Sequence, residues 1–273
     1  MGEESDGDNK VKETIDAVTG LVKAVPIYED MVQPVAKQLG KSLETVGKAI
    51  NMALSPVSGL VWGFENIQVF LSTKLADRLK DVPPEDIITP KPNVAGPAIE
   101  ALRFTGHEES LSDMYANLLA AAMDKNTADG AHPAFVEIIK QLTPDEAKLI
   151  SYFMKPLPFP LVSIRAEHVD YGKGGYDIAV NISLLGSKAN LELPHLVPTY
   201  LDNLCRLGLT ETPNDYAYID KSLYTELEES PEVKLRQKPE LLKPDYKFKV
   251  RHKAVKVTNL GVQFGSVCVT GRA

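Results

Sequence analysis

Five histidines (His107, His132, His168, His195 and His252) and two cysteines (Cys205 and Cys268) are the side chains from which a metal centre or a nucleophile would be built. None of them stands in a His-x-x-x-His or Cys-x-x-Cys spacing, and metal centres need three or four convergent ligands. His132 with Asp124 and Asp129 is the nearest approach to a ligand set, but Pro133 follows directly, which suits a residue opening a helix. Gly172-Lys173-Gly174-Gly175 has the composition of a phosphate cradle. Its lysine lies between glycines and a strand pattern follows, whereas a phosphate loop needs Gly-x-x-x-x-Gly-Lys-Ser/Thr leading into a helix. The run therefore reads as a hairpin turn. Cys205 sits on an apolar helical stripe beside Leu204 and reads as a core thiol. No Gly-x-Ser-x-Gly elbow occurs. The expectation is a non-enzymatic chain with no catalytic, metal-binding or cofactor-binding residue.

Charge gives the sharper signal. The 273 residues carry 30 Lys and Arg against 37 Asp and Glu, a net charge of -7, which argues against a general nucleic-acid coat. Within Lys234 to Lys256, nine cations meet two acids, giving +7 and leaving -14 on the other 250 residues. Lys247, Lys249, Arg251 and Lys253 alternate with Phe248, Val250, His252 and Ala254, so a strand here sets all four cations on one face. Such a face suits phosphates or an acidic partner, or serves as a solvated edge that resists aggregation. These four are the candidate partner-binding residues.

The elements that would position them follow from periodicity. Tyr28, Val32, Val35, Leu39, Leu43, Val46, Ile50 and Leu54 recur at helical spacing, and Val57, Leu60, Phe64, Ile67, Leu71, Leu75 and Leu79 continue it after Ser55-Pro56. A long helical hairpin, or one kinked rod, is expected. Gly40, Gly47, Gly59 and Gly63 mark a candidate helix-packing or membrane face, since repeated glycine in a helix costs about 1 kcal/mol each relative to alanine. The longest uncharged stretch there, Ala49 to Phe64, falls short of the ~20 apolar residues of a spanning helix. Shorter helices are expected at about 95–104, at 108–123 and after His132-Pro133. Leu142-Thr-Pro-Asp-Glu146 opens another, with Thr143 as cap and Pro144 in the first turn.

Strands are expected at 161–166 and 176–184, then a helix at 193–207 ended by Gly208, a helical stretch at 223–227 and a basic loop. Two closing strands at 247–257 and 262–269 complete the order of a winged helix. Its candidate recognition helix shows Thr199, Asp202, Asn203 and Arg206 to solvent. One Arg opposed by one Asp argues against sequence-specific DNA reading. The fold class is thus mainly α: a disordered acidic tail at 1–9, a helical domain with a long hairpin at 10–141, and an α+β winged-helix-like domain at 142–273.

Several segments carry a family resemblance: Val25-Pro-Ile-Tyr-Glu-Asp30, Leu54-Ser-Pro-Val-Ser-Gly-Leu-Val-Trp-Gly63, Ala95-Gly-Pro-Ala-Ile-Glu-Ala-Leu-Arg-Phe104, Asn117-Leu-Leu-Ala-Ala-Ala-Met-Asp124 and His132 through Glu146. With these the chain resembles the bacterial family called abortive infection alpha. The resemblance implies a role in defence against phage, in which an infected cell stops growing or dies, and carries over no active-site residue. The partner expected is a protein or a phage component. Cytoplasmic residence is expected, with membrane association on activation, peripheral membrane contact and a homo-oligomer left open. The alternative is a winged-helix nucleic-acid-binding regulator working through the basic wing.

Overall fold

The structure, a computed structural model, describes residues 63–271. It is mainly helical with a small antiparallel sheet region. The expected tail and most of the expected hairpin, including Gly40, Gly47 and Gly59, lie outside the described residues. Contacts divide the chain into two compact units: the described residues up to Pro144 together with the segment from Ser266, and Asp145–Gly265.

The first unit is helical. α1 (Phe64–Phe70) and α2 (Ala76–Leu79) are joined through a π-helical turn at Leu71–Leu75. α3 (Pro92–Thr105), α4 (Glu109–Met123) and α5 (Ala134–Lys140) follow. Leu71, Leu75 and Leu79, then Ala95, Ile99 and Leu102, then Leu111, Tyr115, Leu118 and Ala122 are buried at the three-and-four spacing that faces a helix onto a core. Lys74 and Arg78 both reach Asp113, at 2.8 and 3.0 Å, and so tie the π-turn region to α4. Arg78 also donates to Asn117 Oδ1, whose Nδ2 donates to the Cys268 and Val269 carbonyls. That amide brings the segment after Ser266 back to this unit. Burial there pushes the Cys268 thiol well up, so it stays protonated.

The second unit holds the sheet. α6 (Pro144–Phe153) opens at the Pro144 that the sequence marks. β1 (Pro160–His168) and β2 (Gly175–Ile182) form a hairpin, with Gly172 and Gly174 in the turn at φ of 88° and 76°, a region glycine enters without penalty. α7 (Leu185–Lys188), α8 (Val197–Arg206) and β3 (Thr210–Glu211) come next. α9 (Ser222–Glu228) and α10 (Pro231–Arg236) then lead to β4 (Tyr246–Ala254), β5 (Lys256–Val257) and α11 (Asn259–Phe264). β4 pairs with β1, giving the order β2-β1-β4, while β3 pairs separately with β5. Val162, Ile164 and Ile182 of the sheet bury against Tyr224, Leu227 and Val233 of α9 and α10, with Phe248 and Val250 at the margin of that core.

Two expectations are corrected. Residues 262–269 are helical, as α11 and a following π turn at Gly265–Val269. Thr258 caps this helix, its hydroxyl accepting from Gly261 N at 2.9 Å, and the buried Gly261, Phe264 and Cys268 recur at helical spacing. Gly261 lies so close to the Leu209 carbonyl that no side chain fits. The stretch expected as a plain basic loop contains α10, capped by Ser230, whose hydroxyl accepts from Val233 N.

The first turn of α6 organises the second unit. The buried Asp145 carboxylate accepts from Glu192 N at 2.9 Å, Leu193 N at 2.8 Å and the Tyr200 hydroxyl at 3.3 Å, and pairs with Lys148. Burial pushes its pKa up, but the Glu192 and Leu193 amides and Lys148 outweigh burial and hold the carboxyl below its ordinary range. Its stabilising contribution is therefore present above the unfolded-state value and is lost as pH falls through the folded one. Asp145→Asn is expected to cost about 2 kcal/mol near neutrality. It should also flatten the acid limb of the stability curve below about pH 4. Urea titrations of both proteins from neutral pH into acid check this; parallel acid limbs would refute it.

Candidate interaction site on the basic strand

The site is built by the β1–β4 ladder. Nine residue pairs run without interruption from Pro160↔Ala254 to His168↔Tyr246. Side chains alternate across a strand, so Phe248 and Val250 turn to the α9–α10 core and Lys247, Lys249 and Arg251 turn outward, all three exposed. Across the ladder, Glu167 reaches Lys249 at 3.0 Å and Arg251 at 2.8 Å. The hydrogen bond from Arg251, then that from Lys249, holds the Glu167 carboxyl below its ordinary range. Beside it Arg165 pairs with Asp177 of β2 at 2.9 Å and donates to the Gly175 carbonyl. The outer face is thus a patterned one, with cations at every second position of β4 and carboxylates behind them.

Lys253 departs from the expected set of four. It is buried, 8% exposed, with its ammonium donating to Asn181 Oδ1 at 3.3 Å. Asn181 sits where the β1–β2 register shifts, in the left-handed region at φ 54°, with its amide donating to the Ser163 hydroxyl. The same alternation that exposes Lys247 carries Lys253 under neighbouring structure, because strand position fixes a face and says nothing of what covers that face. Burial pushes the Lys253 ammonium down from its usual range, against the opposing pull of Cys205, Asp177 and Asp202.

The other sequence candidates separate. Gly63 is exposed and a side chain there would meet nothing within 4 Å, so it is not a close-packing position among the described residues. His132 is exposed; its Nδ1 accepts from Ala134 N and its ring lies near Phe135. Among the described residues no group of three His, Cys, Asp or Glu gathers where it could hold a metal, and no helix is long and apolar enough to cross a membrane. Cys205 is half-buried, 3.5 Å from the Thr210 hydroxyl, and lines an open cleft of about 460 Å³ with Glu211, Lys256 and Asn259. On α8, Asn203 donates to Glu146 at 2.7 Å and Arg206 donates to Asn203 at 2.6 Å. Two of the four polar residues of the expected recognition helix, Asn203 and Arg206, are thus engaged within the unit, while Thr199 and Asp202 are exposed. Sequence reasoning missed Glu167 and Arg165, though their period-two placement around Ala166 was a signal. It also missed Asn181, which an expected unbroken strand over 176–184 hides.

The family model described as abortive infection alpha matches residues 64–268. The chain belongs to the abortive infection alpha family. That match takes in the whole sheet and both paired carboxylates of the basic face, and it associates the chain with abortive-infection defence. No curated protein matches the chain. Among solved structures it is similar to an uncharacterized protein from the hydrocarbon-degrading marine bacterium Alcanivorax borkumensis, at 23% identity with a TM-score of 0.37, over 50% of this chain and 92% of that one.

A buried lysine whose ammonium is depressed destabilises the fold at neutral pH, and the penalty fades as pH rises from the folded value towards the unfolded one. Lys253→Met is therefore expected to melt at or above the parent at pH 7, because an apolar side chain of similar length avoids the desolvation. It should also lack the parent's gain in stability on going alkaline. Calorimetry of both proteins at neutral and alkaline pH reads this; a variant melting well below the parent at every pH would show that the ammonium is needed for the fold.

Proposed function

We propose that this family member is a non-enzymatic abortive-infection protein that acts by holding an acidic protein partner on the outer face of β4. The observation that carries the reading is the trio Lys247, Lys249 and Arg251, exposed at period two and held in register by the ladder and by Glu167. Fixed cations lose less side-chain freedom on binding than free ones, which favours a specific partner over diffuse attraction. A protein or phage component with a matching acidic surface is the partner this chemistry fits.

The second unit is winged-helix-like in this reading: α8 runs into β3, which pairs with β5, the order of a recognition helix and its wing. The engagement of Asn203 and Arg206 with each other and with Glu146 supports a protein-binding use of that scaffold, since base reading requires such side chains to be free to reach base edges. Peripheral membrane contact through the hairpin region is a further reading that rests on residues 27–80 and on sequence pattern alone.

The test is genetic. Lys247→Gln, Lys249→Gln and Arg251→Gln together, expressed at parental level in bacteria challenged with phage, are expected to abolish protection measured as efficiency of plating while leaving the far-ultraviolet spectrum and melting unchanged. Full protection by the folded triple variant would remove the basic face from the mechanism.

A further inference from the structure

We infer that the free edge of β4 takes an antiparallel strand from the partner, and that this strand alternates acidic with apolar residues. The inference rests on the reading of the basic face as the partner surface and specifies what the partner presents to it.

The phase of the ladder decides which backbone groups are free. Just beyond the two ends of the β1–β4 pairing, Val169 N donates to the Asp245 carbonyl at 2.8 Å and Val255 N donates to the Phe159 carbonyl at 3.0 Å. In an antiparallel pair, residues that exchange hydrogen bonds alternate with residues that do not. Asp245 and Val255 are both odd-numbered, so the odd residues Lys247, Lys249 and Arg251 direct their N–H and C=O to β1. The even residues Tyr246, Phe248, Val250 and His252 direct theirs away. Tyr246 N, which donates to the Lys243 carbonyl at 3.3 Å, agrees with this phase.

β4 ends its sheet. Near its far end Tyr224 of α9 stacks on His252 at 4.0 Å and donates its hydroxyl to the Lys253 carbonyl. Between Tyr246 and His252, no described residue outside the β1–β4 pair hydrogen-bonds the backbone of Phe248 or Val250. Among the described residues the edge therefore offers an unpaired run next to three cations, the arrangement that an added strand completes.

The two faces of this edge differ and so specify the added strand. Its outward side chains would lie beside Lys247, Lys249 and Arg251 and must be acidic. Its inward ones would lie beside Phe248 and Val250, which are half-buried at the margin of the core, and must be apolar. A second copy of β4 would set lysine and arginine against lysine and arginine, and like charges directly opposite are destabilising. A nucleic acid meets the cations but has no amide ladder with which to use the edge.

The test titrates the full chain with a fluorescein-labelled, end-blocked heptapeptide alternating glutamate and valine. The comparators are a peptide of the same composition with its glutamates contiguous and two backbone N-methylated forms. One is methylated at the valines, the other at the glutamates. In an antiparallel addition the residues opposite Phe248 and Val250 are the ones that exchange hydrogen bonds with them. Methylation at the valines is therefore expected to weaken binding about tenfold or more, and methylation at the glutamates to leave it little changed. The contiguous peptide should bind about tenfold more weakly. Val250→Pro should do the same to the chain; its amide faces away from β1, so proline there removes no ladder bond and circular dichroism should be unchanged.

Equal binding by all four peptides would overturn strand addition and leave a plain polyanion face. Absence of binding would overturn it as well. Dimers in sedimentation that Val250→Pro dissociates would overturn it in favour of a second copy. If instead the peptide results hold while the triple glutamine variant still protects cells, the strand-binding edge stands and the defence reading fails.

Discussion

The register of β1 against β4 is the constraint on which the rest of the second unit depends. Side chains alternate with a period of two, so a slip of one residue would exchange the faces of the whole strand. Lys247, Lys249 and Arg251 would enter the core formed with Tyr224, Leu227 and Val233, and Phe248 and Val250 would face solvent. Burying three ammonium and guanidinium groups without partners costs several kcal/mol each. That penalty selects one register, and the selected register both exposes the cations and turns the amides of Phe248 and Val250 to the open edge. Glu167 adds a polar lock on the outer face, reaching two cations on alternate positions of the neighbouring strand.

The helical part of the same unit is arranged by a different device. Asp145 and Glu146 stand side by side in the first turn of α6, both buried, and they serve different neighbours: Asp145 the amides of Glu192 and Leu193, Glu146 the side chain of Asn203. Negative charge at a helix start is favoured by the helix dipole, so the two carboxylates are stabilised where they are needed as acceptors. The consequence for function is that α8 is held by its polar face. Asn203 and Arg206 are thereby engaged within the unit, while β4, four elements on, presents Lys247, Lys249 and Arg251 outward.

Much of this was legible in residue order, and the failures have physical causes. Pro144 and the acids after it mark the start of α6, and the glycine-rich 172–175 run is the hairpin turn. Alternation in 247–251 correctly places Lys247, Lys249 and Arg251 on one face. The same alternation misplaces Lys253, because burial depends on what crosses the strand's end and alternation is blind to that. Residues 262–269 mislead for another reason. Val262, Val267 and Val269 favour strands by their branched side chains, yet Thr258 caps a helix there and Gly261 lets it approach the Leu209 carbonyl. Local propensity lost to a cap and a close contact made with a distant segment. Glu167 was hidden because an ion pair across a ladder follows from strand order, and β1 beside β4 brings together residues about 80 positions apart.

Residue-resolved amide hydrogen exchange along β4 in the full chain tests the central claim most directly, because it reads the ladder phase and the open edge together. The account predicts alternation: slow exchange at Lys249 and Arg251, whose amides point to β1, and fast exchange at Phe248 and Val250, whose amides face the free edge. Uniform protection through 247–251, or slow exchange at Phe248 and Val250 with fast exchange at Lys249, would contradict it.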